Sequence, residues 1–106
     1  MSVTYLIRFQ VRPEQRERFL TVLNGVLDAM RHEPMFHNAM LHVDPQDQNH
    51  MMLYETWEDH DDVLNVQIHR SYRDAWHAAL PELLVKERDI SMWHAVREDR
   101  RDAIKP

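Results

Sequence analysis

A carboxylate and an indole two residues apart in a strand pattern point the same way. In Met52-Leu53-Tyr54-Glu55-Thr56-Trp57, alternation sends Leu53, Glu55 and Trp57 to one face and Met52, Tyr54 and Thr56 to the other. The acid-rich Glu58-Asp59-His60-Asp61-Asp62 run follows, and beyond it stand His69, Tyr72 and Trp76. Together these residue types make a base beside a ring-stacking wall, closed by helices. Glu55 serves as the base if burial raises its pKa; the ordinary alternative is a salt bridge, for instance to Arg8. His69, at the junction of two short helices, is of the type that removes a phenolic proton near neutral pH. It would otherwise cap that junction or lie on the surface. Trp57 offers a flat face to a planar ring, or packs in the core. Tyr72 and Trp76 are four apart and share a helical face, as pocket wall or as core. Arg8 is the candidate to stabilise an enolate or quinolate oxygen, against an interface ion pair. The expected catalytic group is therefore His69, Glu55 and Trp57, and the expected substrate-binding group is Arg8, Tyr72 and Trp76.

Composition removes several other chemistries. The 106-residue chain contains no cysteine, so thiolate nucleophiles, disulfides and thiolate metal sites are excluded. Gly25 is the single glycine, which leaves no Gly-rich phosphate loop. A net charge of −5 argues against a nucleic-acid partner. Eight histidines invite a metal reading, yet no two stand at i, i+4, and His37 and His42 fall on opposite faces of their strand. No metal site is expected. The chain lacks an apolar run of membrane-spanning length and a signal-peptide block, so a cytoplasmic protein with no membrane partner is the expectation. The seven methionines read as core filler and interface.

The elements that must position these residues follow from period and punctuation. Val3 to Val11 reads as a strand with Tyr5, Ile7, Phe9 and Val11 on one face and Thr4, Leu6, Arg8 and Gln10 on the other. Pro13 opens a helix reaching about His32, with apolar positions at Phe19, Val22, Leu23, Val26, Leu27 and Met30. Gly25 sits inside it, a cost of about 1 kcal/mol against alanine that either a close backbone approach or simple tolerance would explain. Met35 to Val43 reads as a second strand with His37, Ala39, Leu41 and Val43 on one face, and His50 to Trp57 as a third, joined by the polar Asp44–Asn49 segment. Asp59 is the expected N-cap of a short helix to about Gln67. Ser71 and Asp74 have capping-box spacing for a further helix to about Leu80, where Pro81 breaks or restarts it. Asp89 to Val96 is the fourth strand. Residues 1–96 form one domain, and 97–106 a charged C-terminal tail.

The order β-α-β-β-α-α-β predicts an α+β, ferredoxin-like fold: a four-stranded antiparallel sheet with helices on one face. Both faces of the sheet carry apolar side chains, Leu6, Met52 and Tyr54 among those on the uncovered side. A second copy packed through that face would cover them, giving a homodimer.

With this order, the Glu55-Thr56-Trp57-Glu58-Asp59 run and the Arg12-Pro13-Glu14 entry to the first helix, the chain resembles the antibiotic biosynthesis monooxygenase (quinol monooxygenase-like) family of dimeric α+β barrels over about Val3 to Val96. The resemblance implies a homodimer with a pocket between each sheet and its own helices. It also implies oxygenation of a small aromatic or quinol-type compound by O₂, with no flavin, haem or metal cofactor. Trp57 falls where many members have a pocket tryptophan, and Glu55 matches a glutamate of the quinol-oxidising branch. Histidines common in that branch nine and fourteen residues after the tryptophan are here Val66 and Ser71. A cofactor-independent monooxygenase is the leading expectation. An isomerase or lyase of a small oxo compound and a non-catalytic ligand-binding dimer are the alternatives.

Overall fold

The computed structural model describes residues 1–102. Four strands, β1 (Val3–Gln10), β2 (Phe36–Asp44), β3 (Asp47–Trp57) and β4 (Asp89–Trp93), form one antiparallel sheet in the order β2-β3-β1-β4. Three helices, α1 (Arg16–Met30), α2 (His60–Asn65) and α3 (Asp74–Leu83), complete the α+β, ferredoxin-like fold. No helix among the described residues is long and apolar enough to cross a membrane. The charged tail has no regular structure as far as Asp102, and its last four positions, 103–106, lie outside the described residues.

The core forms where two periods meet. Along β1 the inner face carries Val3, Tyr5, Ile7 and Phe9, all buried, while Arg8 on the other face is exposed. Along α1 Phe19, Leu23, Val26 and Met30 make the buried stripe. Phe9, Phe19 and Trp76 of α3 meet in a cluster with ring centroids 5.1 to 5.8 Å apart. Tilted and edge-on pairs of this kind add about 0.5–1.5 kcal/mol each beyond area burial.

Several local expectations are corrected. Pro13–Gln15 is a 3₁₀ turn, so α1 begins three residues later than its proline marks. The β2–β3 hairpin turns at Pro45-Gln46 alone; the Asp44 and Asp47 carboxylates accept from the amides two residues on and hold the polar segment in tight turns, so the strands extend through it. His37 does not share a face with Ala39 and Leu41. A register shift lies between Phe36, opposite Trp57, and Asn38, opposite Thr56, and turns His37 outward to Glu58. Asp59 is the N-cap as expected, accepting from the Asp62 amide at 3.0 Å. Ser71 caps nothing with its side chain; Ser71–Arg73 is a 3₁₀ turn that runs into α3. Pro81 sits inside α3, which continues to Leu83, and β4 stops at Trp93. Apart from its chain neighbours and its own helix backbone, nothing lies within 4 Å of a Cβ placed on Gly25, so tolerance and not a close approach accounts for that glycine.

Beyond β1 the chain is tied to the end of α3. Val11 bridges Leu84, the Arg12 amide donates to the Leu83 carbonyl, and the Val85 amide donates to the Gln10 carbonyl. This pins the start of the 84–88 segment, which leads into β4 beside the inner face of the sheet.

Candidate active site

Strand β3 delivers Glu55 and Trp57 to the helix-covered face, as alternation requires. Trp57 is fully buried, packs edge-on against Phe36 at 5.1 Å, and donates its indole N–H to Glu55 Oε1 at 3.2 Å. Glu55 is 5% exposed and lies opposite Tyr5 of β1 and Ala39 of β2. A carboxylate in such a place is destabilised as an anion. Burial pushes its pKa up, and Arg73, the Trp57 N–H and Arg88 each pull it back in part.

The two arginines come from different elements. Arg73 ends the 3₁₀ turn before α3 and is buried, its guanidinium 5.7 Å from the Trp57 ring and 5.8 Å from the Tyr72 ring. Arg88 ends the 84–88 segment and is half-buried; burial lowers its pKa, and the Glu55 charge opposes that shift. Glu55, Arg73, Arg88 and Trp76 line a cavity of about 20 Å³ between sheet and helices, together with Leu53 and Met30. That is room for a water molecule and not for an aromatic ring. Outside Arg88 lies a cleft of about 530 Å³, lined by His77, Leu80, Pro81, Lys86 and Ile90 among others. His77 is largely exposed; partial desolvation, then the charges of Arg88 and Arg73, lower its pKa.

The expected residues divide. Glu55 and Trp57 come together on the inner face, with Trp57 as the group that holds the carboxylate, not as a wall of this cavity. Trp76 lines the cavity, on the aromatic cluster. Tyr72 is turned toward the end of α1, donating its hydroxyl to Glu33 Oε1 at 3.4 Å; burial raises its pKa. His69 belongs to the 3₁₀ turn Gln67–His69 and is exposed; the buried member of that turn is Gln67, which donates to Asp62 at 3.0 Å. The base expected at position 69 therefore stands apart from Glu55. Arg8 pairs with Met52 on the outer face, is exposed, and contacts His50, so the sheet itself separates it from Glu55. Among the described residues no cluster of three or more His, Cys, Asp or Glu is arranged to hold a metal ion.

Arg73 and Arg88 are the site residues that the sequence reading missed. A signal for Arg73 was present: it stands three residues before Trp76, on the stripe that continues through Ala79 and Leu83. Arg88 lies in a connection without periodicity, and nothing around it marks it.

Comparison with known proteins agrees with this architecture. The profile of the family described as antibiotic biosynthesis monooxygenase matches residues 2–79. A protein of Pestalotiopsis microspora, provisionally named a monooxygenase, is 30% identical over 93 residues, spanning 87% of this chain and 78% of that relative. Among solved structures, Rv0793 of Mycobacterium tuberculosis superposes with a TM-score of 0.84 at 18% identity, covering 94% of this chain and 100% of the other. SnoaB of Streptomyces nogalater, described as a cofactor-independent oxygenase, superposes with a TM-score of 0.78 at 20% identity, covering 92% and 95%.

Proposed function

The chain belongs to the antibiotic biosynthesis monooxygenase family, and from that premise we propose that it is a cofactor-independent monooxygenase of a small aromatic or quinol-type compound, with Glu55 as its base. The observation that carries this reading is the buried Glu55 carboxylate, held by the Trp57 N–H at 3.2 Å and flanked by two arginines. A carboxylate whose pKa is raised is a better match for a phenolic proton than an exposed one. With the Arg88 side chain turned out of the cavity, which is otherwise too small for a ring, a quinol O–H gives its proton to Glu55, and the ionised ring passes one electron to O₂. The two radicals join as a C–O–O⁻ bond, and Glu55 returns the proton to make the hydroperoxide. Loss of water then leaves a hydroxy-quinone, one oxygen atom on the ring and one in water. A dry interior favours the radical pair over escape of superoxide. The structural likeness to SnoaB supports a reaction without flavin, haem or metal.

We place the working molecule as a homodimer joined through the outer sheet faces, where Met40, Tyr54 and Trp93 are exposed. The test of the reaction is oxygen uptake by chelator-treated protein with a panel of quinols and phenols. Uptake above the blank that is lost in Glu55→Gln is expected; no uptake with any member overturns the reading. Turnover of the same compounds without O₂ would assign the isomerase or lyase alternative instead.

A further inference from the structure

The least satisfied group in the interior is the Arg73 guanidinium. Its residue is 8% exposed, yet Nε and Nη2 have no hydrogen-bond partner. Among the described residues no carboxylate oxygen comes within 4 Å of it, Glu55 included. The Trp57 and Tyr72 ring centroids lie 5.7 and 5.8 Å from its central carbon, and its contact with the Tyr72 hydroxyl leaves Nε and Nη2 open. A buried charge with open donors is costly unless something completes it. The two open nitrogens are adjacent, and their N–H bonds lie along one edge of the plane. That edge fits the two oxygens of a carboxylate, or one oxyanion shared between both donors.

The surroundings say what would complete it. Arg73 and Arg88 face a single carboxylate, Glu55, so the interior holds an excess of positive charge. The cavity they share is too small for a ring, but the 530 Å³ cleft outside is of ligand size. Arg88 is the residue common to the linings of both spaces. The cleft adds Arg12 and Lys86 against Glu87, with Leu80 and Ile90 as apolar walls.

We propose that the Nε–Nη2 edge of Arg73 is the seat of an acidic oxygen, carboxylate or ionised phenol, of a planar aromatic ligand that enters from the cleft by displacing the Arg88 side chain. The aromatic nature of the ligand rests on the oxygenase reading; the anionic seat does not. Arg73 is thereby the residue that selects acidic ligands over neutral ones of the same shape.

Calorimetric titration of the whole protein under nitrogen separates the two sources of the oxygen. One pair is 4-hydroxybenzoate against 4-hydroxybenzamide, and the other is 4-nitrophenolate against 4-nitroanisole. The anion of at least one pair is expected to bind about tenfold or more tighter than its neutral partner. Arg73→Gln should abolish that preference, while Arg88→Ala should keep it. Equal binding within both pairs, binding by none of the four, or a preference that survives Arg73→Gln overturns the proposal. If Arg73→Gln does not fold, the wild-type Arg73 Nε–H resonance decides: it must shift on adding the tighter anion, and a fixed resonance overturns the proposal. Oxygen uptake is read separately. Anion preference without any uptake retires the oxygenase reading alone, and uptake by an Arg73→Gln enzyme with unchanged KM retires the seat alone.

Discussion

Glu55 couples protonation to stability because its carboxyl is harder to ionise in the folded chain than in the unfolded one. The groups that face it are Arg73, Arg88, Tyr5 and the Trp57 N–H. Tyr5, its phenol donating to or accepting from His60 Nδ1 at 2.6 Å, has its pKa pushed up to about 12, so it stays neutral throughout. A raised folded pKa means that the folded state holds the proton more tightly. Stability from that proton is fully present below the ordinary glutamate value of 4.5 and is lost as pH rises through the folded value. Glu55→Gln removes the titration. Urea unfolding at pH 4, 6 and 8 should therefore show the wild type losing stability relative to Glu55→Gln as pH rises across the series; a constant difference would mean that Glu55 ionises as it does in the unfolded chain. At this scale the sequence was half legible. The spacing of Glu55 and Trp57 in a strand gave their common face. Arg73 was not seen because a charged residue at a helix start reads as solvated, and only its place three before Trp76 argued otherwise. His69 was chosen for its type and its place at a helix junction, which does not tell which side of a turn it takes; for Arg8 the alternation that set it beside Leu6 already argued for the outer face.

At the scale of the elements, strands were easier to read than helix ends. Alternation along β3 is clear because one face is buried, and along β1 it is broken only by Thr4, so a slip of one residue would expose most of the apolar set. The register shift at His37 left no mark in composition, and the helix starts at Pro13 and Ser71 were displaced by 3₁₀ turns, which carry similar start signals. Gly25 is the clearest case of a residue whose meaning only the structure supplies. It lies on the exposed side of α1 with open space where a side chain would go. Gly25→Ala should then stabilise the fold by about 0.5–1 kcal/mol, through helix propensity and a less flexible unfolded chain. A thermal melt measures it, and a fall in Tm would mean that α1 meets a surface that the single chain does not contain.

At the scale of the whole molecule, the outer face of the sheet is the unfinished part. Met40, Tyr54 and Leu6 stand in one row across β2, β3 and β1, with Trp93 on the neighbouring row at the β4 edge. Met40 and Trp93 are more than half exposed, at 60% and 57%. An apolar row across a sheet centre is unusual for a surface that meets only water. Sedimentation of the wild type should give a dimer, and Tyr54→Lys should weaken it by about tenfold or more without lowering helix content. A wild type that sediments as a monomer at micromolar concentration would remove the dimer from the proposal. The β-α-β-β-α-α-β order made the architecture legible from the sequence, since few topologies accommodate it. The size of the interior did not follow from it, because the same stripes of apolar residues are compatible with a packed core or a hollow one.

The bridge between Val11 and Leu84 sets a tempo. With Leu84 and Val85 fastened to the end of β1, and Asp89 already in register with Arg8, only Lys86, Glu87 and Arg88 are left between two fixed points. So short a tether leaves little scope for a swinging flap, so on the proposed route it is the Arg88 side chain that turns aside. Rotamer changes of exposed side chains take picoseconds to nanoseconds, whereas hinged segments move in microseconds to milliseconds. The proposed route thus asks for no slow hinge motion of the backbone, only for the turning of one side chain.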